Sequence, residues 1–331
     1  MIDFRYFLVS MTGVFLALAV GVALGAGPFR GDLDQELRSD LRQVGREKDD
    51  LRGRISQLQQ VDRYRDTFAK DLAPNLVRGQ LTGQDVVLVA LPGADTAVVK
   101  DVEGIVAAAG GGVTGTVQVR PKWADPSERQ FLEDLAGRLA TGRVAPATAA
   151  GSAYEQAGSV LARALVTDDD GAPGRGDAAT ATVVGAFGEG GLVDAPASLA
   201  RASFAVVVAP PATAGASPRV RDAVVNEAAM ADTPANAAWV ALARSLDDAG
   251  QGVVMAGETS AAEGEQGVLA SLREDSRASA DVSSVDVADL PSGQVAIVWA
   301  LVEQRRGGAG HYGAVGTTDG ALPKAPEGSG A

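Results

Sequence analysis

The sequence predicts an α/β protein in three parts: an N-terminal transmembrane helix, a coiled-coil stalk, and a mainly parallel-sheet, Rossmann-like body with helices on both faces. Three observations carry this. No charged residue occurs from Phe7 to Gly27. Residues 31–72 are charge-rich, lack proline and carry apolar residues at heptad spacing. Beyond residue 79, short apolar runs without alternation are separated by amphipathic stretches, the pattern of strands buried on both faces between helices. With 331 residues and 46% hydrophobic and 21% charged composition, the chain can bury a sizeable core.

As a helix, the uncharged N-terminal run is about 32 Å long, close to the thickness of bilayer hydrocarbon. It is longer than a secretory signal core, and its n-region has only Arg5 beside Asp3. An uncleaved single-pass anchor over 1–30 is expected; cleavage after Ala23-Leu24-Gly25 stays open as the alternative. Gly13, Ala17, Gly21 and Gly25 recur every four residues and form one ridge, on which two helix backbones can approach closely in lipid. Arg30, Arg38 and Arg42 outnumber Arg5, but long domains translocate largely regardless of flanking charge. The body is expected outside the cytoplasm, and a chain without cysteine suits that compartment.

The stalk, 31–78, places Leu37, Val44, Leu51 and Leu58 at d and Leu41, Lys48 and Ile55 at a. Lys48 in a core slot lowers stability and helps to fix register. After Leu58 the apolar positions shift to Val61, Tyr64, Phe68 and Leu72, which marks a stammer or the end of the supercoil. Ridge and seam together predict a parallel homo-oligomer, a dimer first, with a trimer open through Val44 and Ile55. The alternative is one amphipathic helix folded onto its own domain.

Pro74 is expected to break the helix and Gly79 and Gly83 to mark a linker, and the α/β domain is placed at 79–306. Strands are expected at Asp85–Leu91, Val113–Val119, Ala181–Phe187, Phe204–Pro210, Gly252–Ala256 and Val295–Leu301. Helices are expected at Thr96–Ala109, Ser127–Ala140, Tyr154–Val166, Ala235–Leu246 and Gln266–Arg273. Asp168 to Asp177 is a polar loop. Residues 307–331, rich in Gly and Pro, are expected to be disordered.

The chemistry is narrowed mostly by exclusion. Net charge is −13, so a polyanion such as nucleic acid is not an expected partner. Without cysteine there is no disulfide, thiolate metal site or cysteine nucleophile, and a single histidine, His311, cannot build a histidine cage. Gly110 to Gly115 matches GxGxxG by letters, but it ends a helix and opens a strand, the reverse of a dinucleotide fingerprint. No Walker A or GxSxG motif is present. The weak ligand candidates are Asp95, after the first strand, Glu258, after Gly252–Ala256, and His311; in open α/β sheets ligands sit beyond the carboxyl ends of strands. The methionines Met1, Met11, Met230 and Met255 form no cluster in sequence. No catalytic constellation is found, so a non-enzyme is expected, with no tightly bound cofactor.

The opening MIDFRYFLVSMTGVFLALAVGVALGAGP resembles the start of the actinobacterial copper transporter family of MctB type. So do Val282-Ser283-Ser284-Val285-Asp286, Ser292-Gly293-Gln294-Val295-Ala296, Trp299-Ala300-Leu301 and Gly310-His311-Tyr312-Gly313. Phe7 stands where members often carry His, and Val287 where Asn is common. The resemblance implies a membrane-associated envelope protein of copper homeostasis, described as pore-forming and acting in efflux, with copper as the transported ion. A non-catalytic oligomeric envelope scaffold or sensor, with membrane lipid, copies of itself and other envelope proteins as partners, is the alternative.

Overall fold

The structure is a computed structural model describing residues 4–25, 29–140, 151–168, 174, 176, 178–196, 198–212, 232–264 and 266–324. The chain divides into two compact units, Met1–Arg65 and Asp66–Ala331. The first unit is helical. It holds α1 (Phe4–Gly25) and most of α2 (Phe29–Val77), a helix of 49 residues. Residues Tyr6–Ala23 of α1 have mean hydropathy 2.1 and are unburied, so this one helix is long and apolar enough to cross a membrane.

The second unit is an α/β body. In order it contains β1 (Asp85–Ala90), α3 (Thr96–Ala108), β2 (Gly112–Val119), α4 (Arg129–Leu139), α5 (Ala153–Leu165), α6 (Ala178–Glu189), β3 (Val193–Asp194) and β4 (Phe204–Val208). There follow α7 (Asp232–Ala249), β5 (Val253–Ala256), α8 (Val268–Glu274), α9 (Ala278–Asp281), β6 (Ser283–Val285), α10 (Pro291–Gln304) and β7 (His311–Tyr312). The strands form one mixed sheet in the order β3-β2-β1-β4-β5-β6-β7. Every pairing is parallel except that of β2 with β3, which closes one edge antiparallel.

The period of two along each strand sends its side chains into two separate cores. On β1, Val87 and Val89 enter one core, and Val86 and Leu88 the other. On β4, Ala205 and Val207 pair with the first, and Phe204, Val206 and Val208 with the second. The first core is covered by α4 to α8, where Trp123 stacks on Phe187 with centroids 5.5 Å apart. The second is covered by α3, α10 and the end of α2, through Ala73 and Val77. Both sheet faces are therefore dry, which explains why the strands read as unbroken apolar runs.

Four expectations need correction. Pro74 does not break the helix but lies inside α2, which runs on to Val77. Ala181–Phe187 lies inside the helix α6, and Val295–Leu301 inside α10. In α10, Val295, Ala296, Ile297, Val298, Ala300, Leu301 and Val302 are all buried, so the helix has lost the polar stripe that would mark its period. The strands missed instead are β3, β6 and β7, each two or three residues long. The tail is not disordered over 307–324: β7 pairs parallel with β6, and Gly313 N donates to Gly320 O at 3.0 Å. Residues 325–331 lie outside the described residues, as does most of the Asp168–Asp177 loop. Gly110 (φ +82°) follows α3 as a turn, as its place between helix and strand requires.

Candidate functional site

The carboxyl ends of the parallel strands gather the two acidic candidates. Asp95 follows β1 and caps α3, its side chain accepting from Ala97 N at 2.7 Å. Glu258 follows β5 and precedes the 3-10 turn Thr259–Ala262. Burial raises the Glu258 carboxyl above its ordinary range, and the charges of Asp289 and Asp95 push it the same way. Asp289, in the turn after β6, is itself raised by burial, with a further push from Asp66 on α2. The fold thus brings Asp95 and Glu258 to one edge and adds Asp289 and Asp66, which no spacing in the sequence connects.

His311 is not among them. It sits on β7, with Nδ1 3.0 Å from Ser284 Oγ. Burial and then the neighbouring Arg273 cation lower its pKa, which favours the neutral ring. Arg273 organises this corner. Its Nε donates to Ser284 Oγ at 2.9 Å, its Nη1 to Val315 O at 2.6 Å, and it pairs with Asp286 Oδ2 at 3.0 Å. Asp286 is fully buried and also accepts from the amides of Ala314 and Val315. Tyr312 Oη donates to Glu303 at 2.5 Å. This network pins the C-terminal segment to the sheet, and no motif or spacing marks it, because its members come together only in the fold.

Among the described residues no group of three or more His, Cys, Asp or Glu is arranged to hold a metal ion. The acidic edge offers only hard oxygen donors, whereas thiolate, thioether and imidazole suit copper better. Met255 is buried on β5, Met11 is exposed on α1, and Met1 and Met230 lie outside the described residues.

The expected association residues lie on the two long helices. Gly13, Ala17 and Gly21 share one row of α1, Gly25 is its last residue, and a Cβ built on Gly13 or Gly21 would meet nothing within 4 Å. On α2, Leu41, Val44, Leu51, Ile55 and Leu58 are 53–64% exposed, and Lys48 is exposed with them. Leu37 lies in α2, its side chain outside the described set. The apolar line continues through Val61, Phe68, Leu72 and Leu76, all exposed. Ala73 and Val77 of the same helix are buried in the body.

Residues 1–323 match the family described as "Copper transport outer membrane protein, MctB". The chain belongs to the MctB family. Proteins named "Copper transporter MctB" from Mycobacterium bovis and Mycobacterium tuberculosis are 30% identical over 324 residues, covering 95% of this chain and 96% of theirs. The Mycobacterium leprae protein of the same name is 30% identical over 325 residues. The MctB match includes the apolar helix, the long helix, the body and the β7 segment, so membrane association and the α/β body are parts of one family design.

Proposed function

We propose that this protein is a membrane-anchored envelope protein of copper homeostasis, acting in copper transport or efflux as a parallel homo-oligomer rather than as an enzyme. The observation that carries the copper role is the family match over residues 1–323, which leaves no part of the design outside it. Copper is the cargo in this reading, and no tightly bound cofactor is invoked. The body is extracytoplasmic and held to the lipid by α1 alone. Its strand order supports a Rossmann-like assignment, since that fold runs 3-2-1-4-5-6.

The exposed seam of α2 supports the oligomer. Isolated surface leucines are ordinary, but a continuous apolar line on a solvated helix marks a docking face. In a parallel coiled coil Glu47 at g faces Arg52 of the partner subunit at e, an attractive pair repeated by symmetry. The same seam favours a second reading, an oligomeric scaffold or sensor that engages other envelope proteins. Cellular copper content in a deletion strain separates the two. Transport expects copper accumulation that the full chain reverses and a chain without 31–78 does not. Normal copper content in the deletion strain would sink the transport reading and leave the scaffold.

A further inference from the structure

One groove on the body has a charge that runs against the rest of the molecule. The groove between α5 and α7 encloses about 400 Å³. That is within the range of about 300–1,000 Å³ typical of small-ligand sites. Glu155, Ser159 and Arg163 line it from α5 at four-residue spacing, one ridge of that helix. Arg244 and Asp248 line it from α7, again four apart, and Arg277 closes it from the turn before α9. Three arginines thus line one space in a chain of net charge −13.

The partners of these groups decide what the space can bind. Glu155 is already committed. One oxygen accepts from Ser152 N at 2.7 Å in the box that caps α5, and the other meets Arg244 Nη1 at 3.5 Å. Among the described residues that single long contact is the one Arg244 makes, and it engages one of five donors. Arg163 and Arg277 form no side-chain ion pair among the described residues. Asp248 alone opposes them, and it is exposed. The lining therefore has more cationic donors than acceptors, with the Ser159 hydroxyl between them. Planar guanidinium forks match the oxygens of a phosphate.

We propose that the cleft between α5 and α7 is a binding site for a phosphate group, held by Arg163, Arg244 and Arg277. The site rests on its own charge and geometry and is independent of the copper reading. The phosphate belongs either to a small soluble ester or to a lipid headgroup. Calorimetry on the full chain in detergent, with inorganic phosphate and then glycerol phosphate as probes at pH 8 and low salt, tests it. Saturable one-to-one binding is expected, weakening as salt rises. Arg163→Gln with Arg277→Gln should lower the affinity at least about tenfold, because two charge-assisted contacts are removed. Ser159→Glu, which places a carboxylate in the cleft and leaves the arginines intact, should do the same with an unchanged melting temperature. In nanodiscs, competition by phosphatidylglycerol assigns the phosphate to a lipid, and lack of competition assigns it to a soluble ester. No saturable binding of either probe at millimolar concentration, or equal binding by the wild type and Ser159→Glu, would overturn the proposal.

Discussion

Replacing Arg273 with Met tests the network that holds the C-terminal segment. The change keeps an apolar stem and deletes the guanidinium. Asp286, fully buried, would keep its two amide donors and lose the countercharge 3.0 Å away, the one ion pair it makes among the described residues. Removing one partner of a buried pair costs about 3–5 kcal/mol, because a charge is left uncompensated. The carbonyl of Val315 also loses its Arg273 donor, and that of Tyr312 keeps only the amide of Asp286. Such neighbouring losses are not additive, so about 4 kcal/mol is expected in total. For a body of this size that corresponds to a melting point lower by about 8–16 °C. Thermal denaturation of the full chain in detergent reads the global effect. Hydrogen exchange read by mass spectrometry reads the local one, with protection lost first in residues 307–324. A midpoint within about 2 °C of wild type, with unchanged exchange in that segment, would refute the assignment of Arg273 as its pin.

Other outcomes follow from single positions. Burial, with like charge from Asp281 and Asp248, lifts Asp247 to about 7. The native state then holds a proton that the unfolded chain has released, so stability should fall as pH rises from about 4 to 7. Asp247→Asn should flatten that slope in denaturant titrations at several pH values, and a slope equal to wild type would remove Asp247 as its source. A Cβ at Gly293 would collide with the backbone carbonyl of Val287, which cannot move aside as a side chain could. Gly293→Ala should therefore cost about 3 kcal/mol in urea unfolding. Leu51→Cys, in a chain without cysteine, should cross-link copies in membranes under mild oxidation, because residues at d face each other in a parallel pair. A folded protein that stays uncross-linked would argue against the parallel seam.

Strand-forming segments were legible where they were long. DVVLVA and FAVVV carry five or six apolar-rich residues each, and both became central strands with their side chains divided between two cores. The same rule failed at α6 and α10, whose apolar stretches are helices buried on more than one side. A run of Val, Ala and Ile without polar interruption does not distinguish a buried strand from a buried helix. β6 escaped because it begins with two serines, whose hydroxyls are used by Gln304, Arg273 and His311 rather than by water. Of the candidate residues, the positions of Asp95 and Glu258 beyond the ends of β1 and β5 were legible, since the strands before them read clearly as apolar runs. Asp289 and the α5–α7 arginines were not found, because Glu155 and Arg244 meet across 89 positions of sequence.

The sheet is laid down outward from β1, and the last strand is supplied by the last part of the chain. Asp286 is synthesised 28 residues before Ala314, the first of the two residues whose backbone amides bond to its carboxylate. Until those residues emerge, a carboxylate destined for the interior has no amide donors, and β6 presents an open edge. A chain cut short at Gly310 would be left in that condition permanently. The C-terminal segment therefore serves as a seal of completion: truncated copies keep a hydrated charge and a raw strand edge, the features that proteases find first.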